Sequence, residues 1–119
     1  MRPYGFLMTH SARVLTAHAV LDQLMAQVGV DGLVAALRNP GLLAAVDQHA
    51  ATVRESLRAA DREISIVSLA SYARSVLAAQ TRCGYTLPEN SAGLDWARAD
   101  ATVLRLLAVC LLAEEHGLL

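Results

Sequence analysis

The chain has 119 residues, 55% of them hydrophobic, and a formal charge of −1. That is room for one domain with a single core, which at this size buries roughly two-thirds of the surface its unfolded chain exposes. The near-zero charge excludes a nucleic-acid binder that works through bulk basicity, and the low polarity excludes a disordered chain.

Residues 1–8, Met1-Arg2-Pro3-Tyr4-Gly5-Phe6-Leu7-Met8, read as an N-terminal arm ahead of a single domain over 9–119. Thr9, His10 and Ser11 interrupt the short apolar patch before a signal-peptide core can form. The first helix is expected to start near Thr9 or Ser11, both good N-caps. Val14, Leu15, His18, Leu21, Leu24, Met25 and Val28 then recur at three- and four-residue spacing, giving one apolar stripe. Gly29 is expected to stop this helix. A short helix follows from Asp31, carrying Leu33, Val34 and Leu37, and Asn39-Pro40 closes it and opens the next, because proline suits the first helical position.

The third helix runs from Pro40 to about Ala60, with Leu42, Leu43, Val46, Ala50, Val53 and Leu57 inward and Arg54, Glu55, Arg58 and Asp61 outward. Ser65 caps the fourth, which sets Leu69, Ala73, Val76 and Leu77 on one side and frays by Cys83-Gly84. From Tyr85 to Gly93, the residues Pro88, Asn90, Ser91 and Gly93 mark the long loop. A last helix is expected from near Asp95 to about His116, where Gly117 terminates it. Its second half is apolar on nearly every side, as in a helix that is central in a bundle or shared with a partner chain. The run from Ala101 to Ala113 contains Arg105 and falls short of the roughly 20 apolar residues a membrane span needs. The expectation is therefore an all-α, compact helical bundle of four main helices plus one short helix, cytoplasmic and without a membrane anchor. Two cysteines do not make a disulfide framework: Cys110 reads as a small core residue, and Cys83, at a helix end, as the more accessible thiol.

Several residues carry chemistry worth testing. His18 and Asp22, four apart on a helix, point to the same side, either as an oriented acid–base pair or as a local hydrogen bond at the core edge. Asp47 and His49 are the candidates to join them from the third helix, although residues two apart diverge on a helix. The Glu-x-x-His repeat of di-iron bundles is absent, and no metal or cofactor is expected. Arg54, Arg58 and Arg62 recur every four residues as a basic ridge able to grip phosphate or an acidic partner, with Glu55, Asp61 and Glu63 interspersed. In Asp95-Trp96-Ala97-Arg98-Ala99-Asp100, Trp96 is either a pocket wall or an anchor for the helix, and Arg98 faces solvent or a groove. Gly-rich phosphate loops, Gly-x-Ser-x-Gly, Cys-x-x-Cys and His-Glu-x-x-His are all missing, which counts against the common enzyme classes.

Three segments together carry a resemblance: Asn39-Pro40-Gly41-Leu42-Leu43-Ala44-Ala45-Val46-Asp47-Gln48-His49-Ala50, then Leu69-Ala70-Ser71-Tyr72-Ala73, then Asp95-Trp96 with Leu104-Arg105-Leu106-Leu107-Ala108-Val109-Cys110. The pattern resembles short, uncharacterised actinobacterial proteins associated with natural-product biosynthesis clusters. The shared motifs are helix-packing patterns, so the resemblance implies a setting and transfers no activity.

The functional expectation is a small accessory or binding protein, a homodimer or a binder of a protein or peptide, in the biosynthesis of natural products, modified peptides among them. The apolar last helix motivates it, with Leu107 and Leu111 as the interface residues. The alternative is an atypical bundle enzyme using His18, Asp22, Asp47 and His49, with Trp96 lining its pocket. A nucleic-acid-binding regulator working through the Arg54–Arg62 ridge is the third reading, and DNA is not expected as a partner, since the fourth helix offers only Arg74 and Arg82 for recognition.

Overall fold

The computed structural model describes residues 16–84 and 94–119, so the N-terminal arm, the start of the first helix and the loop from Tyr85 to Gly93 lie outside the described residues. Within them the chain forms α1 (Thr16–Arg38), α2 (Pro40–Ala59), α3 (Ile66–Arg82), a single 3-10 turn (Trp96–Arg98) and α4 (Ala101–Glu115). No strand occurs among the described residues. The fold is an all-α helical bundle, as the periodicity predicts.

Gly29 does not stop the first helix. The backbone continues through a π-helical turn, Met25–Gly29, directly into Val30–Arg38, so the expected short helix is the second half of α1. The reason is packing. A Cβ at Gly29 would collide with Met25 Sδ and come within 3.0 Å of Cys110 Sγ. At Gly32 it would lie 2.6 Å from Trp96 Cη2 and 2.7 Å from Leu107 Cδ1. Both glycines let α1 approach α4, and this close contact outweighs the ~1 kcal/mol that each costs in helix propensity.

The other boundaries follow side-chain capping. Asn39 Oδ1 accepts hydrogen bonds from the Gly41 and Leu42 backbone N–H groups at 3.0 and 3.2 Å, and Pro40 occupies the first turn of α2. After α2, Asp61 takes a left-handed φ of 56°, and the Arg62 N–H returns to the Leu57 carbonyl at 2.8 Å. Ser65 and Ser68 then form a reciprocal capping box at the start of α3, and the Ser68 hydroxyl also donates to the Glu63 carbonyl at 2.6 Å.

The start of the last helix also departs from expectation. Asp95 caps only the one-turn Trp96–Arg98 segment, through the Ala97 N–H, and Ala99 leaves helical geometry at ψ 133°. Asp100 supplies a second cap, accepting from the Val103 N–H at 2.9 Å, and α4 starts there. Gly117, at φ 64°, ends it, with the Leu118 N–H bonded back to the Ala113 carbonyl.

α4 is the central helix: every side chain from Leu106 to Cys110 is buried. Its most extensive packing is against α2, with α1 and α3 on other sides. Leu107, expected at a partner interface, is instead sealed inside the monomer, because an apolar helix at the centre of a bundle has neighbours all round. α1 is long and apolar enough to cross a membrane by length and composition. Its face of Ala17, Leu21, Leu24, Val28 and Ala36 is nonetheless buried in the bundle, and a core helix meets the same criterion.

Candidate functional site

Among the described residues the exposed large apolar side chains are Leu119 at the end of the chain and three residues of α1. Val30, Val34 and Leu37 recur at four- and three-residue spacing on its second half and are 57%, 45% and 81% exposed. Leu37 also borders an open groove of about 190 Å³, where Leu33 and Ala36 of α1 meet Leu43 and Val46 of α2 and Leu111 of α4. Leu111, the second residue expected at an interface, therefore does reach this surface, half-buried in the groove wall. Glu114 stands at the groove edge, and Arg38 follows Leu37 at the end of α1. Neither charge is in an ion pair among the described residues. The sequence pattern does not single out Val30, and it assigns Leu33, Val34 and Leu37 to a separate short helix. Their spacing was visible, but its orientation depends on how α1 lies across α4.

The acid–base candidates do not assemble. His18 Nδ1 lies 3.1 Å from Asp22 Oδ2, the expected i,i+4 contact, on a surface where the two side chains are 45% and 61% exposed. Asp47 is exposed on α2. His49 is half-buried and faces α4 instead: burial first, and then the Arg105 guanidinium, hold its imidazole below the ordinary value of 6.5. Arg105 Nε is itself buried without a hydrogen-bond partner. No group of three or more His, Cys, Asp or Glu side chains that would hold a metal occurs among the described residues.

The arginine ridge is dispersed. Arg54 bonds Glu115 at 3.2 Å across to the end of α4, and Arg58 bonds Glu55 at 2.8 Å within α2. α2 ends at Ala59, so Arg62 turns away and donates to Ser71 Oγ at 3.4 Å. Arg98 is strongly exposed, 3.7 Å from Asp95. Trp96, half-buried, packs over Gly32 and so acts as an anchor between the 3-10 turn and α1. Cys110 is buried, and that burial pushes its thiol up to about 12, which leaves it inert, whereas Cys83 is exposed at the end of α3.

Residues 40–119 match the model of a family of unknown function. The chain belongs to that family, DUF6401. The DUF6401 match begins at the first residue of α2 and takes in α2, α3 and α4. The groove thus lies on the seam between the DUF6401 segment, which supplies Leu43, Val46, Leu111 and Glu114, and α1, which supplies Leu33, Ala36 and Leu37. No curated protein and no solved structure matches the chain.

Proposed function

We propose that this DUF6401 protein is a non-catalytic accessory protein that works as a homodimer, and that the outer face of α1 with its adjoining groove is the dimer surface. The observation that carries this reading is Leu37, a large apolar side chain 81% exposed in line with Val30 and Val34. Contiguous apolar surface of this kind, rimmed by charge, marks association sites. A second copy suits the patch because it carries both signs, Arg38 at one edge and Glu114 at another. A two-fold axis near Val34 would set α1 against α1 in antiparallel order, so that Leu37 of one copy meets the Val30 end of the patch on the other. The resemblance to actinobacterial proteins of natural-product clusters supports a cytoplasmic role in such biosynthesis.

Sedimentation equilibrium tests this reading. The wild-type protein is expected to be a dimer, and Leu37→Arg a monomer with unchanged helix content by circular dichroism. A monomeric wild type, or a dimer that survives both Leu37→Arg and Val34→Arg, would overturn it.

A further inference from the structure

A second concavity opens between α1 and α3, away from the apolar groove. Six residues line it: Ala17 of α1, Arg62 of the turn before α3, and Val67, Ala70, Ser71 and Arg74 of α3. The four from α3 are spaced three, one and three apart, which places them on one helical face. The recess has a volume of about 220 Å³. That is below the roughly 300–1,000 Å³ of sites for drug-sized molecules, so it suits one compact chemical group.

Its charge is unbalanced. Among the described residues Arg54, Arg58 and Arg98 each have a carboxylate within 4.0 Å, but neither Arg62 nor Arg74 does. Asp61 and Glu63 flank Arg62 in sequence, and neither forms an ion pair with it. Two guanidinium groups therefore border one small recess with an apolar floor, and the Ser71 hydroxyl lies 3.4 Å from Arg62 Nη1. Both arginines are exposed and so stand at the rim of the recess, where an anion seated in it would meet two positive charges.

We propose that this recess is a binding site for a phosphate group. A carboxylate has two oxygens and one charge, which a single arginine fork satisfies. Two forks and a hydroxyl match a tetrahedral dianion with more acceptor oxygens. The apolar floor of Ala17, Val67 and Ala70 receives the carbon atoms of a phosphate monoester. The site is independent of the dimer surface, since the two share no residue.

The test is an amide NMR titration of the full-length protein with inorganic phosphate and with phenyl phosphate, against sodium chloride at matched ionic strength. Saturable shifts at Val67, Ala70, Ser71 and Arg74 are expected with both phosphates, with phenyl phosphate the tighter. Arg62→Gln and Arg74→Gln should each weaken binding roughly tenfold, the loss of one charge-assisted hydrogen bond, while the spectrum stays folded. Non-saturable shifts, shifts reproduced by chloride, or affinity unchanged in the double variant would overturn the proposal. Co-sedimentation with phosphatidic acid vesicles but not phosphatidylcholine vesicles, lost in the double variant, would assign the phosphate to a lipid headgroup. Its absence beside saturable phosphate binding would assign it to a water-soluble monoester.

Discussion

α4 and the second half of α1 are both built mainly from leucine, valine and alanine, yet they end in opposite surroundings. From Leu106 to Cys110 α4 exposes essentially nothing, whereas α1 leaves Val30, Val34 and Leu37 in the open. The difference is one of position: α4 is enclosed by α1, α2 and α3, and α1 crosses it on the outside, using Gly29 and Gly32 on its inner face. An apolar helix is thus no guide to an interface until its neighbours are known. The exposed one is where association free energy is available, and the buried one contributes to folding alone.

The sharpest way to break this comparison is to place the same charge on each helix. Leu107→Arg buries an unpaired cation and is expected to cost more than ~4 kcal/mol, a large share of a typical domain's stability. Measured at protein concentrations low enough for the wild type to be monomeric, Leu37→Arg should change unfolding free energy by less than ~0.5 kcal/mol, because its side chain already meets solvent in the monomer. Urea melts of the two variants measure both, and equal destabilisation would mean that α1 is buried in the monomer after all. Gly32→Ala probes the seam between the helices. The added methyl meets the Trp96 ring and the sealed Leu107, so overpacking of about 1–3 kcal/mol should exceed the ~1 kcal/mol gained in helix propensity. A stabilised variant would show that α1 can slide off α4 without loss.

The smallest effect concerns the place where α4 carries charge inside the bundle, Arg105 opposite His49. His49 titrates below 6.5 in the folded protein, so the unfolded chain binds this proton more readily. Its contribution is therefore fully present above about pH 6.5 and is lost as pH falls from there through the lowered folded value. Thermal melts should show a modest decline over that window, and His49→Gln should remove this part of it. A slope identical in wild type and variant would mean that neither burial nor Arg105 disfavours the charged imidazole of His49.

Much of the fold was legible because it is written in local chemistry. Asn39-Pro40, Ser65 and Gly117 cap or end helices through atoms a few residues away, and these boundaries hold. Gly29 was misread because glycine has two uses, ending a helix and admitting a neighbour, and only the neighbour distinguishes them. The Arg54, Arg58 and Arg62 spacing failed for a related reason. The four-residue period survives only while the helix does, and α2 ends before Arg62. The His18–Asp22 contact was legible from spacing, but whether Asp47 and His49 join it was not, since that depends on which faces of two helices meet.

By itself the sequence determined an all-helical chain, the caps that divide it, and the apolar residues that must find cover. These follow from hydrogen bonds and periodicities that act within one or two turns. Tertiary structure alone decided that α4 is enclosed, that Leu37 is left open, and that Arg62 leaves its ridge to stand beside Arg74. Those outcomes depend on helices distant in sequence approaching one another, and no local pattern encodes which side each will turn.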